Sequence, residues 1–401
     1  MKRKFIAFGV LTVSSLYIFG QPRPDSGYTR KKVPQTDIRL VYSHYIQDGN
    51  HSAITGGIGT ERLIVYSPEI TFKRKLDSTH GYSIGAGVDI ISSASIDNID
   101  FVVSSASSVS KHAYINASYN TGIKNKGVSL EPTAYFSIES AYISEGLGFS
   151  ARHINKEKTR ELSAGIEAFF DDLRWGRLNG ERPLRLVYPV ELRYKEWYDR
   201  YRRQSYNLSF ELDQTLNKKM AIAIFPGISY QHGLLATPYH RVYFKDSSLR
   251  VENLPVDRIK IPIGIQLNSF IDGRYALRTY YRFYWDNFGI LAHEIDLELA
   301  IKISPAFSLS PFFRVYTQTA SSYFKPYLEH STLENYYSSD YDLSSFRSYE
   351  GGLETRLAKL GKIEGRSVLK KFSLRYSYYG RTDGLHAHII SLMTDISRVK
   401  K

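Results

Sequence analysis

Apolar and polar residues alternate along most of the chain. From Ala292 to Ile303 the sequence reads A-H-E-I-D-L-E-L-A-I-K-I, in which apolar residues at 295, 297, 299, 301 and 303 alternate with Glu294, Asp296 and Glu298. A period of two is typical of a β-strand with one apolar and one charged face. The pattern continues from residue 38 nearly to the C-terminus and predicts an all-β protein without long helices.

Counting the alternating segments predicts about sixteen strands. They lie near residues 38–46, 61–74, 81–92, 112–122, 128–137, 142–153, 159–170, 205–216, 219–232, 257–270, 275–286, 291–303, 307–319, 345–358, 372–382 and 387–397. Most are longer than the roughly 5–6 residues of a soluble strand and match the roughly 9–11 residues that cross a bilayer at a tilt. This length predicts a transmembrane antiparallel up-and-down β-barrel.

The connections between these strands alternate in length. Short turns follow the even-numbered strands, as at 124–127 and 217–218, and most long loops follow the odd-numbered strands, as at 47–60, 93–111 and 233–256. The segment 359–371 follows the fourteenth predicted strand, where a short turn is expected, but it is longer than the other turns. Transmembrane barrels place short turns in the periplasm and long loops outside, so we expect long extracellular loops and both termini in the periplasm. The loop 171–204 is a candidate partial plug of the lumen.

Charged residues on two adjacent predicted strands face one another. If the strands 275–286 and 291–303 pair, Arg278 and Arg282 meet Glu294, Asp296 and Glu298 across the sheet. A barrel of sixteen strands encloses a lumen that water enters, and such a face suits its wall. We therefore expect these five residues to line the lumen and set its charge selectivity. The alternative is the solvated outer face of a soluble β-sandwich.

The N-terminal segment has the features of a secretory signal peptide. Lys2, Arg3 and Lys4 precede an apolar run over residues 5–19, which is short for a membrane-spanning helix. We predict a signal peptide at 1–20, a periplasmic extension at 21–37, the barrel at 38–397 and a basic tail at 398–401. The expected location is the outer membrane of a Gram-negative cell after Sec-type export. The barrel-assembly machinery is then an expected partner.

Composition narrows the classes of function. The 53 Lys and Arg exceed the 40 Asp and Glu, giving a formal net charge of +13, but they are scattered singly and do not form the basic stripe that nucleic-acid binding needs. The 32 Tyr and 21 Phe suit aromatic belts in contact with membrane lipid. Because the chain has no Cys, disulfides, thiolate metal sites and an N-terminal lipidated Cys are excluded.

Oxygen-bearing side chains cluster in three of the long loops. The candidate cation or ligand residues are Asp48, Asn50, Ser52, Glu61, Asp97, Asp100, Asp340 and Asp342. Asp48, Asn50 and Ser52 have the spacing of calcium ligands, although Gly59 stands where an EF-hand has Glu. A structural Ca²⁺ would join loops over one mouth of the barrel. The alternative is that Asn and Asp form turns and caps. No other cofactor is predicted.

The sequence does not favour an enzyme. His240 with Asp246, or His293 with Glu294, are candidate dyads of an interfacial hydrolase. The sequence G-Y-S-I-G from Gly81 matches G-x-S-x-G, but it lies inside the predicted strand 81–92 and not on the strand-to-helix turn that a nucleophile motif needs. We therefore predict no catalytic residues and keep a hydrolase only as a third alternative.

Several polar connectors resemble a known family. They read D-G-N-H-S-A-I-T-G-G-I-G-T-E from Asp48, I-S-S-A-S-I-D-N-I-D from Ile91, F-D-D-L-R-W-G from Phe170, L-L-A-T-P-Y-H-R-V-Y-F from Leu234 and S-S-D-Y-D-L-S from Ser338. Together they resemble the Bacteroidota outer-membrane proteins grouped as domain of unknown function 3570. The resemblance implies an outer-membrane β-barrel and no particular activity. The chain departs from outer-membrane barrels in lacking a terminal aromatic residue after Ile396.

Two functions of different classes follow from these patterns. The first is a porin-like channel for small polar solutes, predicted from the polarity of the lumen face. The second is an outer-membrane scaffold without open-pore activity, whose loops dock an envelope redox or secretion partner.

Overall fold

Eighteen β-strands form most of the part of the chain that the computed structural model describes, which is residues 35–94, 109–123, 126–139, 142–173, 202–237, 240–364 and 367–399. They are β1 (Gln35–Asp48), β2 (Arg62–Lys75), β3 (His80–Ala94), β4 (Val109–Ile123), β5 (Val128–Glu139), β6 (Tyr142–Ile154), β7 (Arg160–Asp172), β8 (Arg202–Asn217), β9 (Met220–Gly233), β10 (Arg241–Tyr243), β11 (Leu249–Val251), β12 (Asp257–Ile271), β13 (Tyr275–Asp286), β14 (Leu291–Lys302), β15 (Phe307–Gln318), β16 (Phe346–Glu364), β17 (Ser367–Arg381) and β18 (His386–Val399).

Sixteen of these strands close into one antiparallel barrel. Each strand pairs with its neighbours in the chain, β9 pairs directly with β12, and β10 and β11 form a separate two-stranded hairpin. The ring is completed by β1 and β18, whose register runs from Gln35 opposite Val399 to Asp48 opposite His386. The predicted sixteen-strand up-and-down barrel is confirmed, and all its strands pair antiparallel.

One predicted connection is wrong. The segment 359–371 was expected to be a turn region, but β16 continues to Glu364 and β17 begins at Ser367. The register shifts between Ala358 and Gly361, and again between Leu369 and Lys371. Such bulges add unpaired residues and break the period of two, so the alternation could not reveal strand there.

The outer surface of the barrel is apolar. Large side chains such as Leu147 and Ile166, which are 67% and 56% exposed, alternate along the strands with less exposed polar residues that face inward. Aromatic rings lie on this face near both ends, for example Tyr206 stacked on Tyr230 and Phe72 beside Tyr82. A closed sheet satisfies all its ladder hydrogen bonds without a free edge, which is the condition for strands in lipid. The chain is therefore a transmembrane β-barrel with a polar interior.

Within the described ranges, no helix has the length and apolar character needed to cross a membrane. Ala53–Thr55 and Tyr341–Leu343 are short 3₁₀ turns.

Candidate pore wall and loop cap

The inward face of β13 and β14 carries cross-strand ion pairs. Arg278 lies opposite Glu298, and Arg282 opposite Glu294, in the antiparallel register. The Arg278 Nη1 to Glu298 Oε1 distance is 2.6 Å, and the Arg282 Nη2 to Glu294 Oε2 distance is 2.8 Å. The structure thus brings together the arginines and carboxylates that the sequence placed on one face. Pairing neutralises much of their charge.

Arg314 on β15 extends this network, and the sequence reasoning missed it. Its guanidinium lies 2.8 Å from Asp296, 3.2 Å from Glu350 and 3.8 Å from Glu294. The signal was present, because Arg314 occupies a polar position of the alternating segment 307–319 and its register partner is Asp296. We call the inward face of β13 to β16 the paired wall.

The inward face of β2 to β8 is only partly neutralised by ion pairs. Arg152 pairs with Glu161 and Arg203 with Asp171. Three further carboxylates, on Glu69, Glu131 and Glu167, accept hydrogen bonds from uncharged groups. The donors are the Tyr114 hydroxyl to Glu69 at 3.2 Å, the Asn120 amide to Glu131 at 3.2 Å and the Tyr135 hydroxyl to Glu167 at 2.9 Å. A neutral donor stabilises a carboxylate without cancelling its charge. We call this face the acidic wall. The charge on the lumen surface therefore differs between the acidic wall and the paired wall.

Long connections from opposite sides of the ring meet over one mouth. The strands β2 to β9 form one half of the ring and β12 to β18 with β1 form the other half. The β1–β2 loop and the β9–β12 loop are therefore rooted diametrically opposite one another. Any contact between these two loops must extend across the mouth.

Such contacts are present. A Cβ built on Gly56, in the β1–β2 loop, would lie 2.6 Å from the ring of Tyr243 in the β9–β12 loop. The β15–β16 loop joins them, because the His51 ring stacks on Tyr341 at 3.7 Å and Phe244 forms a β-bridge with His330. We call the described residues 49–61, 234–237, 240–256 and 319–345 the loop cap. This cap spans the mouth of the barrel.

The loop cap has a small apolar core of its own. Val242, Phe244 and Tyr337 are buried against one another, and the Phe244 and Tyr337 rings meet edge to face at 4.8 Å. Burial of these apolar side chains against one another stabilises the cap.

His240, Glu252 and Asp340 form a compact cluster in the loop cap. His240 and Glu252 are 3% and 6% exposed, and the Asp340 side chain is 15% exposed. His240 Nδ1 lies 3.6 Å from Glu252 Oε2 and 3.5 Å from Asp340 Oδ2. Among the described residues, this is the group of three His, Cys, Asp or Glu side chains whose ligand atoms lie within 4.8 Å of one another.

Local pairing explains how the cluster forms. Arg241 lies opposite Val251 in the β10–β11 hairpin, so the next residues outward, His240 and Glu252, face each other, and the Glu252 N–H donates to the His240 carbonyl at 3.0 Å. Glu252 was not among the residues predicted from the sequence. The sequence pattern that indicates its position is a short hairpin, in which the segments R-V-Y and L-R-V flank the turn residues K-D-S-S. The register of that hairpin places residue 240 opposite residue 252.

Glu252 is held as a carboxylate. Burial acts to raise its pKa, but the neighbouring His240 and the hydrogen bonds from the Ser338 hydroxyl and the Thr237 amide outweigh burial and lower the pKa below its usual range. These two hydrogen bonds measure 2.5 Å to Oε1 and 2.6 Å to Oε2. A negative charge is therefore buried at the base of the cluster.

The other predicted loop residues are placed separately. Asp48 pairs with Arg62 at 3.4 Å, and Asp342 pairs with Arg381 at 2.6 Å. Ser52 and Glu61 are buried in the β1–β2 loop, and Asn50 lies against Gly384. Asp97 and Asp100 fall outside the described residues, as do the predicted signal peptide and the 174–201 part of the candidate plug. A Ca²⁺ held by these oxygens stays a prediction.

Both candidate hydrolase dyads are wrong. The Asp246 carboxylate accepts from the Ser248 amide and hydroxyl, at 3.0 and 2.6 Å, while His240 faces Glu252 and Asp340. The His293 Nδ1 atom lies 2.8 Å from the Tyr281 hydroxyl on the outer face, and Glu294 points inward because adjacent strand residues face opposite sides.

Comparison with known proteins gives a family and remote structural similarities. The family model described as "Protein of unknown function (DUF3570)" matches residues 9–387. No curated protein matches the chain in sequence.

Several solved structures resemble the chain at low identity. Pseudomonas aeruginosa OpdK with vanillate is 8% identical at a TM-score of 0.42, covering 91% of this chain and 98% of OpdK. Pseudomonas aeruginosa OccD3 (OpdP) is 8% identical at 0.45, covering 94% of each chain. A bacterial polysaccharide outer membrane secretin is 10% identical at 0.44, covering 91% of this chain and 98% of the secretin. At these TM-scores the description of the fold rests on the strand pairing of the chain itself.

Proposed function

Because the chain belongs to the DUF3570 family of proteins of unknown function, we propose its role from its own geometry: an outer-membrane channel for small polar solutes. The observation that carries this proposal is the charged inward face of a closed sixteen-strand barrel. Barrels of about this strand number enclose an aqueous channel, whereas smaller ones fill with side chains. A charged inner face is stable when water or a polar solute reaches it.

The proposed location follows from the same surfaces. The apolar outer band and the unbroken ladder suit a bilayer, and barrels of this type belong to the outer membrane of Gram-negative cells. We propose that the loop cap faces the cell exterior, that the turns and both termini face the periplasm, and that residues 1–20 direct Sec-type export. The resemblance of the polar connectors supports an origin in Bacteroidota. The barrel-assembly machinery is the proposed insertion partner.

The two walls give the proposed channel a charge preference. Carboxylates of the acidic wall, including Glu69 and Glu167, are hydrogen-bonded by neutral donors, while the arginines of the paired wall are matched by acids. The summed field in the lumen therefore attracts cations. We propose that the channel prefers small cationic or neutral polar solutes over anions, and that the loop cap restricts their size.

The test is single-channel conductance of the refolded chain from residue 21 in a planar bilayer, with the reversal potential recorded across a salt gradient. We expect discrete steps and a reversal potential on the cation-selective side. The double variant Glu69→Gln/Glu167→Gln should move the reversal potential toward zero. A matched control is Glu157→Gln, which makes the same change at an exposed residue of the 155–158 turn. A correctly folded but silent barrel would overturn the channel proposal.

The second candidate is the docking scaffold without open-pore activity. It is favoured by one observation, the joined loop cap with its own apolar core, which presents a fixed surface from three loops. A silent barrel whose crosslinked envelopes repeatedly yield one envelope protein, and lose it when residues 319–345 are replaced by a short turn, would support this candidate over the channel.

A further inference from the structure

We infer that His240, Glu252 and Asp340 form a binding site for a divalent transition-metal ion of the Zn²⁺ class, which fastens two loops of the cap together. The inference does not rest on the proposed channel. The three residues come from the β9–β12 and β15–β16 loops, so one bound ion would join segments rooted on different strands.

The separations fit a shared ion. His240 Nδ1 lies 3.6 Å from Glu252 Oε2 and 3.5 Å from Asp340 Oδ2. Zn²⁺ binds nitrogen and oxygen ligands at roughly 2.0–2.2 Å in tetrahedral geometry, which places adjacent ligand atoms about 3.3–3.6 Å apart. His240 Nδ1 is therefore spaced from each carboxylate as neighbouring ligands of one tetrahedral ion are, and the ligand atoms of all three residues lie within 4.8 Å of one another.

The charges also fit. Two carboxylates with a neutral imidazole carry a net charge of −2, and with an imidazolium they carry −1. His240 and Glu252 are almost fully buried, so this charge lies away from solvent. Buried charge is costly unless it is paired or coordinates a metal. A divalent cation bound by a neutral imidazole and two carboxylates brings the net charge of the group to zero.

Hydrogen bonds hold the carboxylates in position. The Ser338 hydroxyl donates to Glu252 Oε1 at 2.5 Å and the Thr237 amide donates to Glu252 Oε2 at 2.6 Å. The Asp342 amide donates to Asp340 Oδ1 at 3.0 Å, so Oδ2 is the atom turned toward His240. Hydrogen bonds of this kind orient the ligands of metal sites. The Ser338 hydroxyl also accepts from the Asp340 backbone amide at 3.1 Å and so links the Glu252 carboxylate to the backbone of Asp340.

The imidazole decides the class of metal. Calcium and magnesium take oxygen ligands, whereas imidazole suits zinc, copper, iron and nickel. A site of one histidine and two carboxylates suits Zn²⁺, with water or a solute group as the fourth ligand of the tetrahedron. The partial exposure of Asp340 gives that fourth position access to solvent.

The direct test is metal binding by the folded chain from residue 21 in detergent, using Zn²⁺ alone, Co²⁺ as a spectroscopic probe and Ca²⁺ as the competitor. We expect one Zn²⁺ per chain by elemental analysis, and visible absorption bands of four-coordinate Co²⁺. Asp340→Asn keeps the shape of a partly exposed side chain and should weaken zinc binding by at least about tenfold. Ser338→Ala should weaken it by about 10- to 100-fold, the usual effect of losing a hydrogen bond that orients a ligand.

A matched control is His232→Ala, which removes an exposed histidine paired with Asp257 outside the cluster and should leave zinc binding unchanged. A second readout is protease cleavage within residues 319–345, which zinc should slow in the wild type and not in Asp340→Asn. Absence of zinc binding at micromolar concentrations, equal binding by wild type and Asp340→Asn, or displacement of zinc by equimolar Ca²⁺ would each overturn the inference. None of these measurements requires conductance, so a silent barrel leaves the metal site to be judged separately.

Discussion

Gly56 lies directly against the ring of Tyr243, although the two residues belong to loops rooted on opposite sides of the barrel. Gly56 has a φ of 82° and a Cβ there would come within 2.6 Å of Tyr243 Cδ2 and 3.4 Å of the Arg241 carbonyl. Only glycine combines this backbone conformation with so close an approach. This contact therefore holds the β1–β2 loop against the β9–β12 loop within the loop cap.

Replacing Gly56 with Ala should loosen the loop cap. The added methyl group pushes against Tyr243, and the positive φ adds a backbone cost of roughly 1–2 kcal/mol. We expect faster protease cleavage in residues 234–256 and a larger single-channel conductance. Gly273→Ala is the matched control, because Gly273 also has a positive φ of 61° but has nothing within 4 Å of its added Cβ. Equal behaviour of the two variants would show that the cap does not depend on this contact.

Replacing Ile166 with Arg should destabilise the barrel if the outer face of β7 contacts lipid. Ile166 lies in the middle of β7 with 56% of its surface exposed on the apolar outer face. A charged side chain near the bilayer midplane of a barrel costs about 2–4 kcal/mol, so the free energy of unfolding from liposomes should fall by that amount. Leu333→Arg makes the same kind of change at a 90% exposed loop residue and should leave the unfolding free energy nearly unchanged. A similar loss in both variants would argue against lipid contact at Ile166.

Removing the charge of Arg314 should leave three carboxylates of the paired wall without their shared cation. Arg314→Gln should move the reversal potential further toward cation selectivity. It should also lower the free energy of unfolding by about 1–3 kcal/mol, because Arg314 is largely buried among these acids. The comparison is Arg274→Gln in the exposed 272–274 turn. A reversal potential that stays at the wild-type value would remove Arg314 from the selectivity mechanism.

Acid should weaken the 325–334 part of the loop cap through Glu334. Burial acts to raise the pKa of Glu334, but hydrogen bonds from Lys325, His330 and the Ser331 amide outweigh it and lower the pKa to about 2. A lowered carboxyl pKa contributes stability above the unfolded value of roughly 4.3, and this is lost as the pH falls toward 2.

Amide hydrogen exchange across residues 325–334, corrected for intrinsic rates, measures this effect. Protection should fall by about two- to fivefold between pH 5 and pH 2, the range for a solvent-accessible ion pair. Glu334→Gln should abolish the pH-dependent part, and Glu329→Gln, at an exposed residue of the same loop, should retain it. Persistence of the full pH dependence in Glu334→Gln would assign it to another group.

The strands were predictable because lipid outside and water inside impose a strict period of two. In β14 every inward residue from Glu294 to Glu298 is acidic and the residues between them are apolar, so residue identity alone indicates both strand and face. The bulged end of β16 near Gly361 broke that period and was missed for this reason.

The loop cap was only partly predictable. Asp340 was singled out as an oxygen ligand, and His240 as a reactive side chain, but their contact joins separate loops and no local periodicity encodes it. Glu252 follows from the register of a hairpin with three residues in each strand, a length too short for alternation to stand out. Contacts between loops depend on where the ring closes, which is a property of the whole barrel.

The pairing of β1 with β18 sets the order in which this molecule can be built. Gln35 pairs with Val399 and Asp48 pairs with His386. The first barrel strand, β1, therefore cannot complete its pairing until β18 has been synthesised. The contacts that close the ring are those most distant in sequence. Such contacts form late in folding because their loop-closure entropy is highest. Until β18 arrives, β1 and β17 both present open edges, which lipid does not tolerate. A chain that stops short of β18 therefore cannot close the ring, so a barrel that is stable in the bilayer requires this strand.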